Sequence, residues 1–459
     1  MKVTGIIAEY NPFHNGHAYH IQQARQLTGA DYIIAVMSGS FVQRGAPALL
    51  DKYDRARMAL FCGADLVLEL PVCFATGSAG DFAAAGAALL DRLGVVDSLC
   101  FGSEAGSVGL FQKAAAALAQ EPAAFSARLQ EGLRSGLSFP AARSRALSAL
   151  SGLPGVTVPE AEDTERLFSA PNNLLGLEYT LALLRRKSAI RPVTIRREGA
   201  GYHDTAPQSD EAGRCDAGPE NIPLFSAKGI REGLRRRLPV ADRQADRQAD
   251  RQADGQTGAG EILPDFLRDA VPASLLPLWE GLLLQDGLLF PEDLNRELRY
   301  RLLTAAPGEF ARCADISREL ADKLEACRLF PGGWEELCAR LKTKEITYSR
   351  ISRALCRILL SVPAELLLQA RREDYVPYAR LLGFRSSAAP LLSALKKNAS
   401  VPLLSKPANA RRLLSPLGLS LFEKDVLAAN LCSLARSAKS GQPPVHEFSR
   451  EIIVVRDNA

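Results

Sequence analysis

The sequence predicts an α/β fold, with a doubly wound parallel sheet in its first half and a mainly helical second half. Three observations carry that reading. Four apolar runs rich in Val, Ile and Leu, VTGIIAE (3–9), DYIIAVM (31–37), ADLVLELP (64–71) and DSLCFGSE (97–104), start about 30 residues apart, the spacing of buried parallel strands joined by crossover helices. From about residue 262 Leu, Ala and Arg recur at helical spacing, with few strand signals before EIIVVRD (451–457). At 459 residues the chain is also too long for one core of ordinary size.

The first run leads into EYNPFHNGH, the second into SGSFVQRG, the third into ELPVCFATGSAGD and the fourth into FGSEAG, all rich in Gly, Ser or charge. Ligands in open α/β sheets collect beyond the carboxyl ends of the strands, so chemistry is expected at these four ends. A helical middle (105–188) precedes RPVTIRREGAGYHD (191–204), where an apolar strand enters a glycine-rich, charged loop, and a further helix pattern, SAKGIREGLRRRL (226–238), follows. Then comes ADRQADRQADRQAD (241–254), a polar repeat that cannot bury a core. The chain therefore divides into a first domain at 1–238, a low-complexity linker or loop at 239–260 and a mainly helical, basic domain at 261–459.

The formal net charge is only +4, yet residues 340–450 hold 19 Lys and Arg against 7 Asp and Glu. A locally basic region predicts a polyanion partner, with a solvated helical face as the plain alternative. Nine cysteines, odd in number and without a CxxC pair, read as buried thiols in a reducing cytosol. The N-terminus lacks the apolar stretch of a signal peptide, and no run of about 18 uncharged apolar residues occurs. The expectation is a cytoplasmic protein with no membrane contact.

Three of the five histidines, His14, His17 and His20, lie in EYNPFHNGHAYH (9–20). As metal ligands they would need a fourth donor, and no cysteine lies nearby, so no metal site is expected. His20 sits a full turn into the helix and reads as packing. His14 and His17 could simply cap or pack at the helix start, but they form H-x-G-H directly after the first strand and at the mouth of a helix, where free N–H groups and the dipole favour phosphate. Two imidazoles beside a glycine would add donors where a transition state builds charge.

H-x-G-H in this position resembles the signature of the nucleotidylyltransferase superfamily. SAKGIR (226–231) resembles the element that closes the ATP site there, with Ser226 and Arg231 in the matching places and Lys228 where a threonine is usual. Arg231 is a candidate phosphate clamp, against an ordinary helix arginine. NPFHNGHAYH, SGSFVQRGAPALLDKYDRARMAL, GADLVLELP, FGSE, PNNLLGLEY and GAGYHD, in this order, with KTKEITYSRISRALCRILL (342–360) further on, resemble the bacterial tRNA(Met) cytidine acetate ligase family. Gly80–Asp81 and the 241–254 repeat depart from its pattern.

The resemblance implies an ATP-dependent ligase that activates acetate as acetyl-adenylate and acetylates N4 of the wobble cytidine of elongator tRNA(Met). It implies that His14 and His17 are catalytic. It places ATP on Ile7, Ala8, Glu9, Tyr10, Asn11, Pro12, Phe13, His14, Asn15, Gly16, His17, Ala18, Tyr19 and His20, with Gly102, Asn172, Arg197, Ser226 and Arg231. Asn172 reads equally as a base or ribose contact or a helix cap, and Asn173 could exchange roles with it; for Gly102 and Arg197 a turn glycine and a surface arginine are the plain alternatives. Magnesium is expected with ATP. In the basic segment, Arg350 and Arg353 are expected to bind tRNA, with Tyr348, Tyr375, Tyr378 and Phe384 as a stacking platform. The rival readings are a nucleotidylyltransferase with another small acceptor, a non-catalytic RNA-binding protein on the same fold, and a metalloprotein.

Overall fold

The computed structural model describes residues 1–120, 123–151, 156–197, 226–237 and 262–457. GAGYHD (199–204) and the linker at 239–260 lie outside the described residues. In chain order the elements that matter here are β1 (Val3–Ala8), α1 (Asn15–Thr28), β2 (Tyr32–Ser38), a tight hairpin of β3 (Phe41–Val42) and β4 (Ala46–Pro47), α2 (Lys52–Phe61) and β5 (Leu66–Leu70). There follow α3 (Ala79–Arg92), β6 (Ser98–Ser103), α4 (Val108–Gln120), α5 (Pro171–Arg185), β7 (Arg191–Arg196) and α6 (Ala227–Arg237). The second half adds α7 (Tyr348–Leu359), β8 (Ala379–Arg385), β9 (Leu403–Leu404), α8 (Pro416–Ser440) and β10 (Ile453–Val455) among further helices.

The four apolar runs form β1, β2, β5 and β6, and all pair in parallel in the order β5-β2-β1-β6-β7. The chain builds outward from β1 through β2 to β5, then returns to add β6 and β7 on the other side, so the crossovers diverge between β1 and β6. Strand alternation splits the apolar side chains between two faces. Val3, Ile7, Ile34, Val36, Leu66 and Leu68 pack with α3, α4 and α5, while Ile6, Ile33, Ala35, Met37 and Val67 pack with α1 and α2. Burial on both faces explains why these runs read as continuously apolar.

The second half is mainly helical, as its spacing predicts, and it also extends the sheet. β8 pairs antiparallel with β5, and β9 and β10 each pair parallel with β8. ARLLGFR carries two arginines and a glycine, which hid this strand. Arg380 is fully buried there, its guanidinium donating to Tyr53 Oη at 3.1 Å and to Glu447 at 3.4 Å. The same network holds Lys52, whose Nζ lies 2.8 Å from both Glu69 Oε2 and Glu447 Oε1. Burial opposes the charge on Lys52, but Glu447 and Glu69 outweigh it and hold its pKa above the ordinary lysine value.

One aromatic expected on the tRNA-facing surface belongs to this interior instead. Tyr378 is fully buried and donates its hydroxyl to Asp425 Oδ2 at 2.6 Å, because it opens the approach to β8 and not an exposed loop. Tyr375 is half-buried against Phe74, with ring centroids 5.6 Å apart, and Phe384 is half-buried in β8. Tyr348 is 39% exposed and remains on the surface. Among the described residues no helix is long and apolar enough to cross a membrane. The described cysteines are free thiols, buried apart from the partly covered Cys62.

Candidate active site

β1 ends where its crossovers diverge, and the next residues turn back into α1. His14 is the N-cap of α1 in extended conformation, and its Nδ1 accepts the Gly16 N–H at 3.0 Å. His17, at the third helical position, reciprocates: its Nδ1 accepts the His14 N–H at 3.3 Å. This is a capping box built from two imidazoles in place of the usual hydroxyl and carboxylate. With Nδ1 an acceptor in both rings, each neutral imidazole carries its proton on Nε2, which is the donor it can offer a ligand. The rings lie close and tilted, 3.9 Å between centroids with 32° between their planes, and Tyr10 and Phe13 wall the His17 ring at 5.0 and 5.5 Å.

These imidazoles are neutral near pH 7. Burial, then the charges of Arg197 and Arg231, lowers the His14 pKa to about 3. Burial, then the neighbouring His14, Arg197 and His20, pushes His17 well below its ordinary value. Burial and Arg197 lower His20 to about 4, and its Nε2 is buried without a hydrogen-bond partner.

The glycine of the motif has a steric reason. A Cβ on Gly16 would lie 2.9 Å from His14 Cε1 and 3.1 Å from its Nδ1, so the glycine makes room for the capping ring. Gly16→Ala is expected to rotate the His14 ring and reduce turnover by about 10²-fold, the cost of a misplacement near 1 Å, with little change in Tm; full activity in the purified variant would contradict this placement.

Around the helix mouth the other ends of the sheet converge. Arg55 of α2 is fully buried and donates to the carbonyls of Glu9 at 2.7 Å and Ser38 at 2.9 Å, and also to that of Gly39, tying together the ends of β1 and β2. Asn11 turns inward, its Oδ1 accepting the Leu49 N–H at 2.8 Å. Its carbonyl accepts from Arg231 of α6, which also donates to the Ala227 carbonyl at 3.1 Å. Burial lowers the Arg231 pKa, with Glu9 opposing. Ser226 caps α6, its hydroxyl accepting the Gly229 N–H at 3.0 Å, and Lys228 lies 3.6 Å from Glu232. Asn15 Nδ2 donates to the Asp269 carbonyl at 2.8 Å, closing a segment of the second half onto α1.

At the end of β6 the stem of Arg197 passes over Gly102, where a Cβ would meet Arg197 Cγ at 3.4 Å. Arg197 Nε lies 3.9 Å from Glu104 Oε1, and Asn172 Nδ2 donates to the same oxygen at 2.6 Å. The two asparagines thus part company. Asn173 is fully buried between the Ala105 N–H and the Arg166 carbonyl, whereas Asn172 stands beside Arg197 at the mouth.

The structure therefore brings His14, His17, Gly102, Asn172, Arg197 and Arg231 to the carboxyl ends of β1, β6 and β7. Ile7, Tyr10 and Phe13 point into the core, leaving the backbone of the stretch, more than those side chains, to face a ligand. Arg350 and Arg353 lie apart on α7. Arg353 is 13% exposed and 3.4 Å from Asp315, and Arg350 is half-buried beyond the Thr347 cap. Asp81, one of the departures noted in sequence, takes both oxygens to Arg371 of the second half at 2.9 and 2.8 Å. Sequence reasoning missed Arg55, because it sits among other charges in an ordinary-looking helix. Among the described residues no group of three or more His, Cys, Asp or Glu could hold a metal ion.

The family model for the HIGH Nucleotidyl Transferase matches residues 1–444. The tRNA(Met) cytidine acetate ligase of Acetivibrio thermocellus is 34% identical over 458 residues, 99% of this chain and 100% of the relative. That of Clostridium kluyveri is 35% identical over 433 residues, 93% and 96% of the two chains. Crystal structures of Thermotoga maritima TmcAL superpose with TM-scores of 0.81 for the form bound with alpha-thio ATP and 0.83 for an apo form. Both are 32% identical and cover 99% of this chain and 100% of theirs.

Proposed function

The chain belongs to the tRNA(Met) cytidine acetate ligase family, and from that membership we propose that it is an ATP-dependent ligase that acetylates N4 of the wobble cytidine of elongator tRNA(Met). One observation carries the reading: two neutral, mutually capped imidazoles at a helix N-terminus, where the crossovers of a doubly wound sheet diverge, within reach of the Arg197 and Arg231 charges.

The first step joins acetate to the nucleotide. A carboxylate oxygen attacks the α-phosphorus in line, the bond from phosphorus to the bridging oxygen breaks, and pyrophosphate leaves with the electron pair, giving acetyl-adenylate. Acetate is already deprotonated at neutral pH, so no general base is needed and no covalent enzyme intermediate forms. The Nε2–H groups of His14 and His17 and the amino end of α1 stabilise charge on the α-phosphate. Arg197 holds phosphate, and Arg231 fixes the motif loop through the Asn11 carbonyl while contributing its charge. Magnesium brought in with the nucleotide would supply charge that offsets the pyrophosphate leaving group, since among the described residues no group of three or more His, Cys, Asp or Glu could hold a metal ion.

In the second step the cytosine amine attacks the acetyl carbon, AMP leaves with the electron pair and the amine gives up a proton. An exocyclic amine is a poor nucleophile, which is why the acyl group is first raised to a mixed anhydride. Residues 1–238 supply the activation site, and the basic half at 261–459 receives the anticodon loop, whose unpaired bases can be splayed out. The cytoplasm, where ATP and tRNA meet, is its place of work.

Acetate-dependent exchange of pyrophosphate into ATP, without tRNA, tests the activation step. Removing both Arg350 and Arg353 is expected to weaken tRNA binding and lower its salt slope by about 1 for each phosphate no longer neutralised, with ATP affinity unchanged; unaltered tRNA affinity in a filter-binding titration would remove α7 from the interface.

A further inference from the structure

The basic segment at 340–450 predicts an aromatic stacking surface, yet Tyr378 is buried and Tyr375 and Phe384 are half-buried. Two rings of that segment do face solvent together. His446 and Phe448 are both exposed, Phe448 by 48%, with ring centroids 5.4 Å apart and planes tilted by 38°. Between them Glu447 points the other way, into the buried network with Lys52 and Arg380, where it also accepts the Tyr53 hydroxyl at 3.0 Å. The Glu447 N–H donates to Asn430 Oδ1 of α8 at 2.8 Å, and the Phe448 N–H donates to His446 Nδ1 at 3.1 Å, so the turn Glu447–Ser449 is pinned from below and within. Phe422 of α8 stands edge-on to the Phe448 ring at 6.4 Å. One exposed ring is ordinary, but two rings held outward by an anchored turn are a face prepared before any ligand arrives.

Cations stand beside this face. The turn Pro407–Asn409 packs against Glu447–Ser449, with Lys406 just before it and Arg411 and Arg412 on the short helix Ala410–Leu413 just after it. All three are exposed, and among the described residues their side chains make no hydrogen bond or ion pair. An aromatic face flanked by unpaired cations suits a nucleobase and its phosphates, whereas an apolar protein partner would leave three charges unmatched. The face stands at the carboxyl end of β5, the same end of the sheet as the nucleotide mouth, because Glu447 meets Lys52 at the start of α2 and Glu69 near the end of β5 pairs with the same lysine. The motif loop is close: Asn11 accepts the Leu49 N–H, and the three chain steps from Leu49 to Lys52 span no more than about 11 Å. We propose that His446 and Phe448 stack an unpaired base of the tRNA anticodon loop while the wobble cytidine occupies the acetylation site, with Lys406, Arg411 and Arg412 on the adjoining phosphates. The assignment rests on the acetate ligase reading and deepens it.

The test is filter binding of the full chain to elongator tRNA(Met) and to its isolated anticodon stem-loop, beside acetate-dependent pyrophosphate exchange without tRNA. Phe448→Leu keeps apolar bulk next to Phe422 and loses the aromatic face; it is expected to weaken binding of both RNAs at least about fivefold, the lower end of what one stacked base contributes, while Phe448→Trp binds as the unaltered protein does. Arg411→Gln combined with Arg412→Gln is expected to lower the salt slope by about 1 for each phosphate no longer neutralised, and exchange is unchanged in every variant. Unchanged RNA affinity in Phe448→Leu overturns the assignment; if sedimentation shifts at the same time, the rings are a contact between copies of this chain. Weaker binding of the full tRNA but not of the stem-loop overturns the placement on the anticodon loop, and loss of exchange in Phe448→Leu overturns it too, since the turn would then act through the fold. Should Phe448→Leu not fold, the paired arginine variant decides by its salt slope. Failure of the unaltered protein to bind tRNA would instead defeat the acetate ligase reading itself.

Discussion

With His14 replaced by alanine, acetate-dependent exchange of pyrophosphate into ATP falls about 10²- to 10³-fold, the usual loss for one preorganised donor aimed at developing charge. Alanine also removes the cap of α1, so His14→Asn is the sharper variant. Asparagine is a good N-cap and keeps an acceptor for the Gly16 N–H, but it cannot place a donor where the imidazole Nε2–H stands. The expected result is a Tm close to that of the unaltered protein with a rate close to that of His14→Ala. Combining it with His17→Ala costs little more, because the two rings cap one another and act as a unit. Since burial and the two arginines hold the His14 pKa at about 3, kcat/KM is expected to show no histidine limb between about pH 5.5 and 7.5, the range in which an unperturbed imidazole titrates. An inflection near the ordinary histidine pKa of about 6.5 that disappears in His14→Asn would contradict the neutral-donor role.

Lys52→Met produces the largest expected loss of stability. The ammonium stands between Glu69 and Glu447 with essentially no exposure on any of the three. Methionine keeps the stem and removes the charge, leaving two carboxylates buried near one another with Arg380 as the remaining cation. Breaking a buried pair in this way costs about 3–5 kcal/mol, a large fraction of the roughly 5–15 kcal/mol that stabilises a folded domain. The check is a urea melt followed by fluorescence, in which the midpoint drops clearly. Because Glu69 closes β5 and Glu447 comes from the end of the chain, the loss also loosens the second half from the sheet. A midpoint unmoved by Lys52→Met would show that the network contributes little.

Much of the fold was legible because burial on both faces leaves a plain mark. β1, β2, β5 and β6 are continuous Val, Ile and Leu runs at even spacing, and that spacing identifies them as parallel strands joined by crossovers. β8 left no such mark, since Arg380 and Arg385 interrupt it, and its place in the sheet depends on Glu447 and Tyr53, far away in sequence. One cue was available: Glu69 inside LVLEL is a charge in a buried strand, and a buried charge requires a partner. The same reasoning applied to Lys52, Arg55 and Arg380 would have drawn the network together.

At the site, H-x-G-H after the first strand located the chemistry but not its geometry. That His14 caps α1 and that Gly16 spares room for its ring depend on backbone torsions no spacing encodes. Likewise PNN could not say which asparagine faces the mouth, and only the Ala105 and Arg166 contacts commit Asn173 to the interior. Tyr378 was misplaced for a related reason. An aromatic among arginines looks like a stacking surface until Asp425 is seen to take its hydroxyl.

Elongator tRNA(Met) incubated with the full chain, ATP and isotopically labelled acetate, then digested to nucleosides, is expected to yield labelled N4-acetylcytidine from the wobble position. None is expected when ATP is omitted or His14→Asn replaces the unaltered protein. No labelled N4-acetylcytidine from the unaltered protein, with a family member run in parallel giving product, would contradict the acetate ligase reading.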